Sequence, residues 1–236
     1  MAEIDLHTHT RYSDGFDTPN DMAMAASKLG IRLLGFSDHV RATTVWIDDY
    51  IMELGTIAKD FSTELRIMCG LETKIIDLDG NLDIAATFDS KVDYMIGSFH
   101  RIPCRNGFMS TDEIKSNPKH AYENWKDALL SYLRNPIGLV VGHIDRILTE
   151  NGITIDLDDS EVIAEEIMKS KKLVELDPMR GCPQNILLSE LRNLRMKFIL
   201  SSDSHSISEL RKFHETVVIP KDDLLSISEI ISHLSD

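Results

Sequence analysis

The feature that most restricts the fold of this chain is a recurrence: short apolar runs alternate with longer stretches of helical period from one end to the other. The runs occupy residues 4–6, 33–36, 65–68, 92–96, 139–141, 173–176 and 198–200. Short, largely apolar runs, often β-branched and bounded by turn residues, are the pattern of a strand covered on both faces. Strands interleaved with helices predict an α/β chain with a parallel sheet or barrel of seven strands.

Helix signals fill the gaps. Thr18 precedes Pro19 at a first helical position, and Met22, Ala26 and Leu29 follow at helical spacing. Ala121, Trp125, Ala128, Leu129, Tyr132 and Leu133 share one face of another helix, which Asn135-Pro136 ends. Asp158 with Glu161, and Ser206 with Glu209, have capping-box spacing. Pro183 opens a helix carrying Leu187, Leu191 and Leu194. Residues 75–84 read as a hairpin about Asp79-Gly80. Residues 100–118 show no period and form a long connection of the kind used as a lid or substrate-binding segment. Residues 226–234 form a capped amphipathic helix that either closes the barrel or meets another subunit.

Composition narrows the class. With 236 residues and 42% hydrophobic content the chain fills a real core, and one domain over 1–236 is expected, since α/β barrels of this size are ordinarily single units. The net charge, 25 − 39 = −14, opposes binding to long nucleic acid or an anionic membrane. No run approaches the roughly 18 apolar residues of a membrane span, and no basic segment leads into an apolar stretch at the start. Cys69, Cys104 and Cys182 are odd in number and widely spaced, which predicts reduced thiols in a cytoplasmic protein.

The chemistry concentrates at the strand ends. His7, His39, His100, His143 and His205 each fall at or just beyond the C-terminal end of a predicted strand, and His9 joins His7 across one residue. Glu72 follows the third strand and Asp203 the seventh. In a parallel barrel those ends form the rim where active sites assemble. Side chains two apart on extended backbone project to the same side, so His7 and His9 can grip one ion. Six histidines, Glu72 and Asp203 on one rim would include mutually repelling groups unless a cation joined them. By contrast His120, His214 and His233 fall in or beside helices.

In this order the segments Asp5-Leu6-His7-Thr8-His9-Thr10, Tyr12-Ser13-Asp14-Gly15, Phe36-Ser37-Asp38-His39, Gly70-Leu71-Glu72, Gly97-Ser98-Phe99-His100, Val141-Gly142-His143 and Ser202-Asp203-Ser204-His205 resemble the PHP (polymerase and histidinol phosphatase) metal-dependent phosphoesterases. That resemblance implies a distorted (β/α)7 barrel and a centre of two or three divalent ions. By motif position His7, His9, Glu72 and Asp203 would hold the first ion. Glu72 would bridge to a second, held by His100 and His143, and Asp14, His39 and His205 would hold a third. Mixed imidazole and carboxylate ligands suit zinc, manganese or iron and not an all-oxygen calcium site.

The implied activity is hydrolysis of a small phosphorylated metabolite by a metal-activated water, with Glu72, Asp203 and His205 as catalytic residues. Histidinol phosphate leads the candidate substrates. The rival readings are a phosphodiesterase or exonuclease acting on short nucleotides, and a metal-binding module without catalysis. A phosphate dianion needs cations in so acidic a protein; Arg101 and Arg180 are the first candidates and Arg41 the next, with Arg105 weaker. Asp177 either orients a ligand histidine or simply opens the Asp-Pro turn. Trp46 and Tyr50 either wall a pocket or pack, and Met22, Met24, Met52 and Met68 read as core.

Overall fold

The computed structural model describes residues 3–61 and 63–235. Its strands are β1 (Ile4–Thr8), β2 (Leu33–Phe36), β3 (His39–Val40), β4 (Arg66–Lys74), β5 (Tyr94–Ser98), β6 (Pro103–Cys104), β7 (Gly107–Phe108), β8 (Val140–Gly142), β9 (Leu173–Leu176) and β10 (Ile199–Leu200). The helices are α1 (Pro19–Lys28), α2 (Ile47–Asp60), α3 (Thr111–Ser116), α4 (Pro118–Arg134), α5 (Arg146–Glu150), α6 (Leu157–Ser170), α7 (Asn185–Asn193), α8 (Ile207–Thr216) and α9 (Ile227–Ser235).

Seven parallel strands in the order β1-β2-β4-β5-β8-β9-β10 curl into a nearly closed barrel. A parallel bridge between Thr8 and Ser204 draws its two ends together, and the His9 amide donates to the Ser204 carbonyl at 2.9 Å. Most of each apolar run is buried, as strands flanked by helices must be, with Arg66 and Asp93 exposed near where their runs begin. The strand after β2 breaks at Ser37-Asp38 and resumes as β3 beside β4, which sends Asp38 inward. The buried Asp38 carboxylate accepts from the amide and hydroxyl of Thr10 and from the amide and hydroxyl of Ser13, and so fixes the loop after β1.

Helix α1 begins as its sequence dictates, with the Thr18 hydroxyl accepting from the Asp21 amide. Ser206 caps α8 in the same way, accepting from the Glu209 amide. Two other starts differ from expectation. Helix α6 begins at Leu157 with Asp156 as its cap, so Asp158 lies in the first turn, where its charge favours the helix dipole without capping. Helix α7 begins at Asn185, two residues beyond Pro183, because Cys182 pairs back with Asp177 in a bridge that holds the preceding turn extended. Leu194 is then left outside the helix and 42% exposed. The connection 100–118 is not structureless. It holds the small antiparallel ribbon β6–β7 and α3, whose Ser110–Glu113 capping box is complete.

The barrel interior below the rim is filled by Tyr94, whose hydroxyl donates to the Leu6 carbonyl at 2.6 Å. Gly35 and Gly70 make room for that ring: a Cβ at Gly70 would lie 2.3 Å from its Cζ atom. Beneath it, Ile230 of α9 is fully buried against Ile4, Leu33, Leu173 and Ile199, so the last helix closes the barrel floor. Met22 and Met68 are core, but Met24 and Met52 face outward, at 39% and 72% exposure. Tyr50 packs fully and donates to the Gly70 carbonyl. None of the helices among the described residues is long and apolar enough to cross a membrane.

Candidate metal centre

Every histidine expected at a strand end reaches the same neighbourhood, and the buried carboxylate of Glu72 is its hub. Its Oε2 lies 3.2 Å from His7 Nε2, 3.4 Å from His9 Nε2 and 2.8 Å from His39 Nδ1. Its Oε1 lies 3.0 Å from His143 Nε2 and 3.3 Å from His100 Nε2. Asp203 approaches from the far end of the chain, with Oδ1 3.0 Å from His9 Nε2 and 3.6 Å from His7 Nε2. Asp14, on the loop that Asp38 fixes, lies 3.5 Å from both His39 Nε2 and His205 Nε2.

Three sets of side chains each place one ligand atom within 4.8 Å of the others: His7, His9, Glu72 and Asp203; His39, Glu72 and His100; and His9, Asp14, His39 and His205. His143 stands at the edge of the second set, through its contact with Glu72.

Whether these residues suit metal ions is decided by their unsatisfied atoms. His7 Nε2 and Glu72 Oε2 are buried and form no hydrogen bond, although they face each other. Two lone pairs aimed at one point, away from water, are costly unless a cation accepts both. Tautomers agree with that reading. The Glu175 carboxylate can only accept, so the proton it shares with His7 sits on Nδ1 and the Nε2 lone pair faces the centre. The Asp203 carbonyl, 3.0 Å from His205 Nδ1, leaves His205 Nε2 free in the same sense. The donor set of imidazoles and carboxylates fits zinc, iron or manganese.

The charges reinforce one another. Burial alone would raise the Glu72 carboxyl, but His7, His100 and His39 hold it well below the usual carboxylate range. Burial would also raise Asp203, which the hydrogen bond from His9 and the charge of His7 hold well below that range. Burial draws His7 down, yet without an ion Glu175 and Glu72 raise it well above the ordinary imidazole value, so a proton held at Nε2 is what a bound cation would displace. His9 is lowered by burial despite Asp203. Backbone conformation contributes as well: His143 (φ 25°) and Asp203 (φ 49°) are in the left-handed region, a strained state that persists where surroundings enforce it. At His143 the enforcing group is Glu175, which accepts from its amide at 2.9 Å.

The arginines divide. Arg180 reaches the centre: its Nη1 donates to Asp177 Oδ2 at 2.8 Å and to the Ser202 carbonyl, and its Nη2 lies 3.5 Å from Asp203 Oδ2. Asp177 therefore opens the turn and holds Arg180, and it orients no histidine. Arg41 lines a cleft of about 410 Å³ beside the centre, with Tyr12, Trp46, Lys74, His39 and His100. Arg101 does not line that cleft; its guanidinium lies 4.9 Å over the Phe108 ring, and Arg105 is exposed on the β6–β7 ribbon.

Four contributors were not anticipated. Arg146 donates from Nη1 to Asp203 Oδ2 at 2.7 Å. Glu175 sits under His7 and His143, and its signal was present as one acid inside the apolar run Leu173–Leu176. Asp38 lies within a quoted motif. Asp5 accepts from the amides of His7 and Ser202 and from His214 Nε2, which gives that helical histidine a structural partner at 2.9 Å.

A parallel barrel whose C-terminal rim gathers histidines and carboxylates into sets that could hold metal ions defines the class. The PHP domain model matches residues 5–178, and the chain belongs to that family. It is 25% identical to a protein named probable phosphatase from Thermoanaerobacter sp. (strain X514), across 92% of this chain and 85% of that one. It is 24% identical to another of that name from Aliivibrio fischeri (strain MJ11), across 98% and 89%. In fold it resembles a candidate histidinol phosphatase from Listeria monocytogenes, with a TM-score of 0.72 and 18% identity over 91% of this chain and 100% of that chain. It also resembles the histidinol phosphate phosphatase of Lactococcus lactis complexed with zinc, L-histidinol and phosphate, with a TM-score of 0.62 and 19% identity over 95% of both chains.

Proposed function

We propose that this PHP-family phosphatase hydrolyses small phosphomonoesters with a centre of two or three divalent transition-metal ions, held by His7, His9, Asp14, His39, Glu72, His100, His143, Asp203 and His205. The observation that carries the reading is the convergence of five histidines on one buried carboxylate, Glu72, beside an open cleft, with His205 joining through Asp14. When bound, such ions supply a water of lowered pKa and positive charge for phosphoryl oxygens.

The protein's own residues do the rest. Glu72 belongs to two of the three ligand sets and so fixes their separation. Asp203 anchors the opposite side and is itself held by Arg146 and Arg180. Each of those guanidiniums keeps N–H donors beyond the bonds it makes and is about 30% exposed, so each can also meet a phosphoryl oxygen. His205 keeps its Nε2 toward Asp14 by placing its Nδ1 proton on a backbone carbonyl. The chain contributes positioning and charge, which is most of what phosphoryl transfer requires. The three free cysteines agree with a cytoplasmic setting.

Phosphate release across a panel of phosphorylated metabolites tests the reading, with histidinol phosphate included because the Lactococcus lactis protein bears that name. Turnover is expected from metal-loaded protein, with loss on chelation and restoration by one of zinc, manganese or iron. Glu72→Ala should lower turnover by at least a thousandfold and reduce the metal content. Equal inertness of both proteins across the panel would favour a metal-binding module without catalysis.

A further inference from the structure

The cleft beside the centre carries two cations that the hydrolytic machinery does not use. Lys74 ends β4 two residues beyond Glu72, and Arg41 follows β3 two residues beyond His39. Residues two apart on extended backbone share a face, so each cation stands roughly 6.6 Å further outward on the side of a centre residue. The strands pair in parallel as His39 with Glu72 and Val40 with Thr73. Arg41 and Lys74 each follow the last paired residues, Val40 and Thr73, of neighbouring strands about 4.8 Å apart. Both side chains line the cleft.

Among the described residues neither cation has an ion pair or a side-chain hydrogen bond. Asp83 accepts from the Ala42 amide, and the acids lining the cleft, Asp14 and Glu72, face His39, His205 and the other centre histidines. Two adjacent unpaired cations in a chain of net charge −14 are mutually repelling and call for an anion. The same cleft is lined by two aromatic rings. Trp46 and Tyr12 pack with ring centroids 5.2 Å apart, and Tyr12 is fixed by donating to Glu53 Oε2 at 2.6 Å.

We propose that the alcohol portion of the substrate bears a second anionic group, carboxylate or phosphate, which Arg41 and Lys74 hold while a planar part lies against Trp46 and Tyr12. This rests on the phosphatase reading and narrows it. A phosphomonoester with a cationic leaving group, such as histidinol phosphate, then ranks below an anionic one of similar size.

An aryl series isolates the effect, because its phenols depart almost equally readily. The metal-loaded full chain is assayed with 3-carboxyphenyl phosphate, phenyl phosphate and 3-(aminomethyl)phenyl phosphate. Calorimetry in parallel compares 3-carboxybenzylphosphonate with benzylphosphonate, which need no turnover. The carboxylate is expected to raise kcat/KM at least tenfold over phenyl phosphate, chiefly through KM, and to tighten phosphonate binding by a similar factor. The aminomethyl compound should fall below both. In Lys74→Met and Arg41→Met each carboxylate-to-phenyl ratio should drop by about tenfold. Equal kcat/KM or equal phosphonate affinities for the carboxylated and plain compounds would overturn the proposal, as would ratios unmoved in both variants. If no aryl phosphate turns over, the phosphonate affinities still decide whether the cleft selects an anion, and the metabolite panel decides the phosphatase reading separately.

Discussion

His7 Nδ1 lies 2.7 Å from Glu175 Oε1, and the other oxygen of the same carboxylate holds the His143 amide at 2.9 Å. One buried acid from β9 thus sets the proton position of a candidate ligand on β1 and the strained backbone of another after β8. Orienting partners of this kind commonly change metal affinity by about 10–100-fold. Glu175→Gln keeps the volume but can turn an amide N–H toward His7 Nδ1, which favours the wrong tautomer. Metal dissociation measured by competition with a chelator should weaken within that range, while a thermal melt of the metal-free protein moves little. Unchanged metal affinity would remove Glu175 from this role.

Arg146 and Arg180 both reach Asp203, yet their other partners differ. Arg180 is tied to Asp177 and the Ser202 carbonyl, whereas Arg146 is tied to Glu150 on its own short helix. Loss of a charge-assisted bond to a phosphoryl oxygen is worth about 1.5–3 kcal/mol, or tenfold and more in kcat/KM. Arg180→Ala and Arg146→Ala should each show that loss, with the KM for phosphoesters rising. Steady-state kinetics identical to the parent enzyme would assign that arginine to structure alone.

Lys172 supplies a pH signature remote from the centre. It is 6% exposed, donates to the carbonyls of Ile137 and Gly138, and lies 4.5 Å over the Tyr132 ring. Burial pushes its ammonium down to about 8 from the ordinary 10.5. Between those values the unfolded chain binds more protons than the folded one, so stability rises with pH across that window. Below it the buried charge costs up to about 3 kcal/mol. Denaturant melts from pH 7 to 10 should therefore show the parent protein gaining on Lys172→Met. Parallel profiles for the two would contradict the shift.

Gly70→Ala tests the filled interior. Its Cβ would meet the Tyr94 ring, which cannot swing aside without giving up the bond to the Leu6 carbonyl. Overpacking of this kind costs about 1–3 kcal/mol, readable as a lowered denaturation midpoint. Gly70→Ala combined with Tyr94→Leu should recover part of the loss, since the two positions are in contact. A single variant as stable as the parent would show that the ring has room.

The fold was legible wherever one physical signal dominated. Runs such as Leu33–Phe36 and Leu173–Leu176 could only be buried strands, and Thr18-Pro19 could only open a helix. The histidines were legible because polar side chains that follow apolar runs must emerge at the strand ends. What escaped depends on distance in three dimensions. Nothing local says that Arg146 points at Asp203, 57 residues on, or that Lys74 and Arg41 line one cleft. Glu175 was hidden by its company, since an acid among Leu-Val-Leu scores as one polar residue in a strand until its partner 168 residues away is seen. The ribbon and short helix in 100–118 escaped because two-residue strands carry too few side chains to show a period.

His9 and Asp203 are 194 residues apart and meet at 3.0 Å. During synthesis the first set of donors therefore cannot assemble until nearly the whole polypeptide has left the ribosome, and contacts that remote in sequence form late. Completion of this donor set is thus a report on completed folding. A prematurely terminated product ending before Asp203 would keep most of its strands yet lack the fourth donor of the His7, His9, Glu72 and Asp203 set.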